Sequence, residues 1–520
     1  MWETILSGVE KVNTFLNNIV WGWPMIVLIL GTGILLTVRT KFMQVHKFGA
    51  SLNSTIVPAV KGMGKKRSKN DKENSISPFE AFATAISGTV GTGNIIGVSS
   101  AIMTGGPGAV FWMWISAFFG MVTNYAENVL GMFFRKKDKN TGDFSGGPAY
   151  YLSEGLGRNV EGKKGSFLKG LGKTLGVMAA VFCTLAAIGM SGAQTNKMSL
   201  TFQSVFSDGN KTVIGLVVGI VVAVVLALII LGGIKSIGRV ASILVPFMSL
   251  LFILMALVII FANITAIGTA FALIFKNIFS FKAAVGGFAG FVFADIIKKG
   301  LARGVFSNEA GLGSSVIAHS ASKTREPVKQ GLWGIFEVFF DTFIICTLTA
   351  LVILVTFGDN FEVLYGGNYV DTTVSMMAFE EMFGAFGTVV YSTIIPLFSF
   401  TTTLAWSYYG EKAVDFLFRP TGDKGRKIAT TVFKIAYVLL VIVSAVIDGE
   451  LAWAISDTFN GLMALPNLIG LVLMSGLIVK ITKNYFDRKK GADIQPMLSV
   501  YPEQNEEFIR DIEAGNEENI

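Results

Sequence analysis

Long apolar runs alternate with short polar segments along most of the chain. Nearly all of these runs are long enough to cross, as a helix, the roughly 30 Å hydrocarbon core of a bilayer. The pattern predicts an all-α polytopic membrane protein with eleven transmembrane helices, a leading span followed by spans 1 to 10. In chain order they cover 21–38, 81–103, 109–134, 175–202, 213–231, 240–261, 283–298, 332–357, 383–410, 428–447 and 451–479.

Span 1, over 81–103, is interrupted by glycines that alternate with polar side chains. Its centre reads Gly91-Thr92-Gly93-Asn94. Glycine weakens a helix, and a peptide group freed inside hydrocarbon costs several kcal/mol unless something polar satisfies it. We therefore expect an unwound segment that binds a small charged solute and a cation. The alternative is a small-residue packing face of the kind common between membrane helices.

Span 6, over 283–298, is interrupted in the same way, with glycines at Gly286, Gly287 and Gly290. Interrupted spans at matching positions of two halves indicate an inverted-repeat transporter with its site at the membrane midplane. We expect a five-plus-five inverted repeat in which spans 1 and 6 are broken and the leading span is an addition. The predicted organisation is an extracellular N-terminus (1–20), the leading span (21–38), a basic cytoplasmic loop (39–80), the first repeat (81–262), the second repeat with its connecting loops (263–479) and a cytoplasmic tail (480–520).

The charged residues add to this picture the orientation of the chain across the membrane. The chain of 520 residues is 52% hydrophobic and only 15% charged, with a net charge of +7. If the N-terminus is outside, most Lys and Arg lie on the inner side, including those of the expected inner segment 298–329, as the positive-inside rule requires. We expect a multi-pass protein of the cell membrane with a cytoplasmic C-terminus and no nucleic-acid partner. The basic stretch 61–75 and the acidic tail from Glu503 are expected to be solvated, without packed structure.

Two further polar features lie within apolar spans. Span 8 contains Thr401, Thr402 and Thr403 in succession, and hydroxyls beside open carbonyls are the oxygen ligands that sodium prefers. The alternative is that these hydroxyls bond to carbonyls of their own helix. Gln194 in span 3 needs a partner, which is either a substrate or a neighbouring helix.

Acidic residues inside spans are costly when they face lipid, so each should face the bundle or lie near an interface. Asp295 and Asp341 could relay protons, or belong to a gate or packing network. The two histidines, His46 and His319, are assigned to loops, and neither a metal-ligand cluster nor a nucleophile with its base is evident. The sequence therefore argues against an enzyme and predicts no cofactor. The intramembrane carboxylates are Glu127, Asp295, Glu337, Asp341 and Asp457.

Several motifs are more specific than these patterns. They are GTGN at 91–94, GGPGAVFWMWISAFFG at 105–120, GGPAYY at 146–151, RGVFSNEAGLGS at 303–314, WSYYGE at 406–411 and NGLMALPNL at 460–468. Together they resemble the alanine or glycine:cation symporter family, the sodium:alanine symporters. The resemblance implies a fold of the amino acid, polyamine and organocation type, similar to LeuT. It also implies uptake of alanine or glycine, in some members glutamine, coupled to sodium or sometimes to protons.

Carried over residue by residue, the resemblance assigns the substrate carboxylate to Gly91-Thr92-Gly93-Asn94 and a place in the pocket wall to Gln194. It assigns sodium, the coupling ion, to Thr401 and Thr402 with carbonyls of span 1. Gly290 and Phe291 are candidates for the wall and gate in span 6. The sequence departs from the family pattern at Ser315, Val316 and Ala405, which bears on the inner gate. An ion channel and a non-transporting amino acid sensor are the alternatives from other classes.

Overall fold

The structure is a computed structural model that describes residues 2–57, 75–138, 142–158, 160–206, 209–279, 293–358, 360–365, 369–447 and 449–514. Within these ranges nearly all regular structure is helical, apart from a short antiparallel hairpin in which Lys136 pairs with Ser145 and Lys137 with Phe144. This agrees with the predicted all-α class.

In the first half, four described helices precede the broken span. The interrupted span follows as two helices joined by one short 3₁₀ turn, Thr92–Asn94. The elements are α1 (Trp2–Val20), α2 (Trp23–Arg39), α3 (Met43–His46), α4 (Phe48–Ser54), α5 (Pro78–Thr89), α6 (Ile96–Gly105), α7 (Ala109–Phe133), β1 (Lys136–Lys137), β2 (Phe144–Ser145), α8 (Pro148–Gly155), α9 (Gly162–Val205), α10 (Lys211–Ile230) and α11 (Gly233–Ala262).

The second half contains several long helices. A π-helical segment, Phe339–Cys346, lies inside one span. The elements are α12 (Ile267–Lys276), α13 (Phe293–Asn308), α14 (Ser315–His319), α15 (Pro327–Val338), α16 (Thr347–Phe357), α17 (Phe361–Tyr365), α18 (Asp371–Phe383), α19 (Ala385–Leu417), α20 (Gly422–Ser444), α21 (Gly449–Lys489) and α22 (Pro502–Glu513). Short 3₁₀ turns cover Ile264–Ala266 and Arg419–Thr421.

Nine helical stretches in the described part of the chain are long and apolar enough to cross a membrane, and the bent pair α5–α6 makes a tenth. Ten of the predicted spans coincide with these stretches. Their outward faces are apolar: on α10, for example, Val221 and Leu228 are exposed, as expected of side chains that face lipid. The chain is therefore a multi-pass membrane protein, while the total of eleven spans stays a prediction.

Span 6 is the one whose position the sequence placed wrongly. The predicted span ended at a basic inner boundary near Lys298, but α13 continues through Lys298 to Asn308. Its Lys299 packs against Gly105, at the far end of the bundle from Pro78. We call these two ends the Gly105 end and the Pro78 end. The charges of Lys298, Lys299 and Arg303 were mistaken for a loop, yet they belong to a helix that runs inward from the Gly105 end.

The acidic tail also differs from expectation. Residues 502–513 form α22, whose Phe508 is fully buried against Phe144. An amphipathic helix that places an aromatic residue on an apolar surface is stabilised by that burial, whatever its overall charge. The prediction of a solvated tail without packed structure is therefore wrong for this segment.

The long helix α9 forms the spine of the bundle. It packs along both α19 and α21, and α7 packs against α13 and α15. Glycines allow close approach at these crossings: Gly189 of α9 lies against Ser456 of α21, and Gly410 of α19 lies against Ala187. The packing brings the middle of α9 and α19 beside the break between α5 and α6.

Candidate functional site

The break in span 1 has a clear local cause. α5 begins with a capping box, in which Ser77 Oγ accepts from the Glu80 backbone N–H at 3.2 Å and the Glu80 carboxylate accepts from the Ser77 N–H at 2.8 Å. It ends at Thr89, where glycine-rich chain follows. The Gly91 N–H then donates to Asn94 Oδ1 at 2.9 Å, so a side chain replaces the helix carbonyl. α5 and α6 consequently meet at an angle of 57°.

Thr92 and Gln194 are in direct contact across this break. Thr92 Oγ1 donates to Gln194 Oε1 at 2.9 Å. Thr92 is fully buried and Gln194 is 1% exposed. The amide of α9 therefore has a partner in a neighbouring span, at its unwound segment, while a contact with substrate stays a prediction.

On its other side, the unwound segment is joined to span 7 by a hydrogen bond from Asn94. Its Nδ2 donates to Asp341 Oδ1 at 2.5 Å. Asp341 Oδ2 accepts from Ser307 Oγ at 2.9 Å and from Thr342 Oγ1 at 2.8 Å. Asp341 is fully buried and lies in the π-helical segment Phe339–Cys346, a form often found at functional sites. This carboxylate joins spans 1, 6 and 7 at one point.

The threonines of span 8 occupy different surroundings. Gly91 lies so close to Thr402 that a Cβ on the glycine would be 2.5 Å from Thr402 Oγ1. Thr402 Oγ1 donates to the Phe398 carbonyl at 3.0 Å, as the alternative interpretation of these hydroxyls expected. Thr401 Oγ1 donates to the same carbonyl at 3.1 Å and also lies 3.5 Å from Met248 Sδ on α11. Adjacent helical residues point about 100° apart, which explains the divergence. Thr402 therefore faces the unwound segment, and Thr401 faces span 5.

A second break lies opposite the first one. After α13 the chain adopts left-handed backbone at Glu309, Gly311 and Gly313, with φ of 55°, 95° and 75°, before α14 begins. Phe306, at the end of α13, lies against Gly93. Since α13 enters from the Gly105 end and α5 from the Pro78 end, the two broken segments run in opposite directions and meet at their interruptions.

Aromatic side chains surround this meeting point. Phe306 packs on Trp453 with ring centroids 5.2 Å apart, and the fully buried Trp406 donates from Nε1 to Glu309 Oε1 at 3.1 Å. Nearer the Gly105 end, Arg303 Nη1 lies 3.7 Å from Asp457 Oδ1. The break is thus enclosed by indole and phenyl rings, with one ion pair beside it.

The model of the sodium:alanine symporter family matches residues 6–499. The chain belongs to this family. It is therefore a transporter and not an enzyme, and the resemblance seen in its motifs is confirmed. The sodium:alanine symporter relatives include the sodium/alanine symporter AgcS of Methanococcus maripaludis, which is 42% identical over 94% of this chain and 99% of its own length. A probable sodium/glutamine symporter, GlnT of Bacillus subtilis, is 35% identical over 93% of this chain and 92% of its own length.

Solved structures place this sodium:alanine symporter family member among known transporter folds. It is similar to MhsT in complex with L-phenylalanine, with a TM-score of 0.51 and 14% identity, over 79% of this chain and 98% of that one. A Na⁺-coupled sialic acid symporter gives the same TM-score of 0.51 at 12% identity, over 92% of this chain and 94% of that one. At these identities the likeness concerns the fold alone.

Of the predicted site residues, the structure brings Gly91, Thr92 and Asn94 together with Gln194 and Thr402. Gly93 lies nearby, against Phe306. Gly290 and Phe291 lie outside the described residues, as do the glycines of the predicted span 6 break.

Sequence reasoning overlooked Phe306, Ser307, Glu309, Trp406 and Trp453 as neighbours of the break. The signal was present in the motif RGVFSNEAGLGS, whose closely spaced glycines interrupt a helix, but that motif was assigned to an inner loop. His319 was also misplaced: it lies in α14, fully buried, with Nε2 2.8 Å from Glu337 Oε2.

Proposed function

We propose that the protein is a secondary active transporter that carries a small neutral amino acid, alanine or glycine, into the cell together with sodium. The observation that supports this most directly is the junction of Gly91, Thr92, Gln194 and Thr402 at a helix break buried inside the bundle. Such a junction offers free backbone dipoles and neutral side-chain polar groups, which suit a zwitterion and a monovalent cation.

The substrate carboxylate is assigned to the unwound segment Gly91-Thr92-Gly93-Asn94. The first N–H groups of α6 have no carbonyl one turn earlier, because the helix begins only at Ile96. Free N–H groups and the positive end of the helix dipole favour an anion there. Gln194 completes this side of the pocket. Gly290 and Phe291 remain proposed for its wall and gate.

Sodium is assigned to Thr401 and Thr402, whose hydroxyls both donate to the Phe398 carbonyl, together with carbonyls at the end of α5. Those last carbonyls lack helical partners, since the chain departs from the helix after Thr89. One turn before Thr402 lies Ser399, whose buried Oγ has no hydrogen-bond partner among the described residues. A buried hydroxyl in that situation supports an additional polar ligand beside α19.

Coupling follows from the contact between Gly91 and Thr402. A cation at Thr402 draws the carbonyls of α5 toward α19 and so stabilises the unwound conformation that presents N–H groups to the carboxylate. Two ligands that favour the same conformation each raise the affinity for the other. No direct contact between sodium and substrate is required.

The enclosing side chains favour a small substrate. Phe306 lies against Gly93, and its ring packs at a tilted angle on Trp453. Trp406 is fixed by Glu309. Large rings packed beside the unwound segment suit a substrate with a small side chain. Alanine and glycine are therefore proposed ahead of glutamine, the substrate in the name of the relative GlnT.

The test is uptake of radiolabelled amino acids into proteoliposomes under imposed sodium or proton gradients, with alanine, glycine and glutamine compared. We expect sodium-driven accumulation of alanine or glycine, and counterflow when only unlabelled alanine is inside. Conduction without counterflow would instead indicate a channel. Accumulation driven by protons alone would contradict the assigned coupling ion, and a preference for glutamine would move the chain to the alternative substrate.

The side-chain part of the proposal has a matched pair of variants. Thr402→Val keeps the shape of the side chain and removes its oxygen, whereas Thr402→Ser keeps the oxygen. We expect sodium activation to be weakened by the first variant and kept by the second. Equal sodium dependence in both would remove Thr402 from the sodium site. The orientation of the protein, with the N-terminus outside, is proposed from the distribution of basic residues and can be checked by labelling each terminus in sealed vesicles.

A further inference from the structure

The tail helix α22 is held at the Pro78 end by several kinds of contact. Phe508 is fully buried, with the Arg325 guanidinium carbon 4.7 Å from its ring centroid. Lys137 Nζ lies 2.6 Å from Glu507 Oε1, and Arg325 Nη2 lies 2.9 Å from Asp511 Oδ2. An acidic helix thus lies on a basic and aromatic surface of complementary charge.

One residue of that surface, Arg325, follows closely on a segment that pairs with the start of span 1. Backbone hydrogen bonds join Ile76, just before α5, to the chain that follows α14: its N–H donates to the Ala321 carbonyl at 3.2 Å, and its carbonyl accepts from the Lys323 N–H at 2.8 Å. The start of span 1 is therefore fastened to the end of span 6. For this end to open, the two hydrogen bonds have to separate.

We call the pairing of Ile76 with residues 321–323 the seal. Arg135 connects α22 to this seal. Its fully buried guanidinium donates to the carbonyls of Ser320, Ser322 and Thr324, at 3.2, 2.5 and 2.6 Å. Its own backbone carbonyl accepts from Gln504 Nε2 of α22 at 3.1 Å. Residues 320–325 are therefore held by hydrogen bonds from Arg135 on one side and by the contacts of Arg325 with α22 on the other.

We propose that α22 is a lock on the Pro78 end, which stabilises the conformation in which Ile76 is paired with residues 321–323. Docking of the helix favours the closed end, and undocking allows the seal to separate and the binding site to face that side. The occupant of the basic surface is the chain's own residues 502–513. The inference concerns the alternation of the transporter and does not depend on which amino acid it carries.

The ion pairs make the lock adjustable. Glu507 and Asp511 keep 39% and 28% of their side-chain surface exposed. Pairs of this kind weaken as ionic strength rises, because exposed charges are screened over about 10 Å at 0.1 M salt. Together, two partly exposed pairs should change the ratio of docked to undocked helix by about three- to tenfold.

The experiment measures how fast a cysteine in the seal reacts. Ser322, which is fully buried, is replaced in Ser322→Cys, and the full-length protein in lipid nanodiscs is treated with a maleimide that reaches both faces. The same chain without this substitution gives the background from the two native cysteines, both buried. The lock is weakened by Glu507→Gln/Asp511→Asn. The matched control is Glu503→Gln/Glu506→Gln, which removes the same charge from exposed positions of the same helix.

We expect labelling to be about three- to tenfold faster with Glu507→Gln/Asp511→Asn and unchanged in the control. Raising salt should speed labelling of the parent and have little effect on the weakened variant. A charge exchange, Lys137→Glu/Glu507→Lys, rebuilds the ion pair with its charges reversed and should be labelled at close to the parent rate. Such recovery would also show that faster labelling in a weakened variant does not come from a folding defect. Equal labelling in all variants, or equal acceleration in the control, would overturn the proposal. Since labelling needs no substrate, these outcomes are independent of the transport assay.

Discussion

Gly91→Ala is the most direct perturbation of the broken span. A Cβ at this position would lie 2.5 Å from Thr402 Oγ1 and 3.6 Å from Gln194 Nε2. Non-bonded carbon and oxygen atoms do not approach to 2.5 Å, so either α5 moves away from α19 or Thr402 leaves its position. Its hydroxyl is also held by the Phe398 carbonyl at 3.0 Å, which limits the second route. The added methyl therefore acts on the junction proposed to bind sodium.

The magnitude follows from ordinary overpacking. Inserting a methyl into a packed interior costs about 1–3 kcal/mol. If this strain falls on the sodium-bound conformation, the sodium concentration for half-maximal uptake rises by about five- to 150-fold, because about 1.4 kcal/mol corresponds to a factor of ten. Residual uptake at saturating sodium should persist, since the N–H groups of the unwound segment are retained.

The assay is sodium-dependent uptake of labelled alanine into proteoliposomes, with thermal unfolding of the purified protein measured in parallel. Gly476→Ala is the matched control: it lies in α21, outside the proposed binding site, and a Cβ there meets nothing within 4 Å. We expect it to transport normally and to gain up to about 1 kcal/mol, because alanine is the better helix former.

A second variant separates crowding from chemistry. Gly91→Ala/Thr402→Ala makes room for the methyl but lacks the hydroxyl, so thermal stability should recover while sodium activation stays weak. The reasoning would be refuted by unchanged sodium dependence in Gly91→Ala, or by an equal defect in Gly476→Ala. Full recovery of sodium activation in the double variant would show that the hydroxyl is not a ligand.

Three further outcomes follow. Thr402→Val should raise the half-maximal sodium concentration about tenfold or more, given about 1.5–3 kcal/mol for an interaction with a charged group, while Thr402→Ser stays near the parent value in the same uptake assay. Gln194→Leu deprives the Thr92 hydroxyl of its acceptor and should raise the KM for alanine with a smaller effect on sodium activation, as measured by uptake at saturating sodium. Asp341→Leu removes the carboxylate that accepts from the Asn94 amide and should destabilise the protein by about 1–3 kcal/mol. Asp341→Asn retains an acceptor and should unfold at a clearly higher temperature than Asp341→Leu.

Local sequence was enough for the features that local physics controls. The apolar runs predicted ten helical stretches because a backbone in hydrocarbon has to satisfy its hydrogen bonds within a helix. The break at Gly91-Thr92-Gly93-Asn94 was predictable for a similar reason, because glycine weakens the helix there. The structure adds that Asn94 accepts a hydrogen bond from the Gly91 N–H. Motifs spread along the chain identified the family, which the match over residues 6–499 confirms.

Features that depend on neighbours distant in sequence were not predictable in this way. Lys298, Lys299 and Arg303 resembled an inner loop, because charge alone does not distinguish a loop from a helix that lies against other helices at the Gly105 end. The second break, at Glu309 to Ser314, was therefore missed, although its motif had been recognised.

The sequence by itself determined that this is a polytopic helical transporter of known family with an interrupted span 1, since hydropathy, glycine spacing and motifs are properties of short segments. Only the tertiary structure decided that Thr402 and not Thr401 faces Gly91, that Asp341 accepts a hydrogen bond from Asn94, and that α22 docks beside Arg135. Each of these depends on the rotation and register of helices that are far apart along the chain. Packing sets that register, because the interior has to be filled and most buried polar groups need a hydrogen-bond partner.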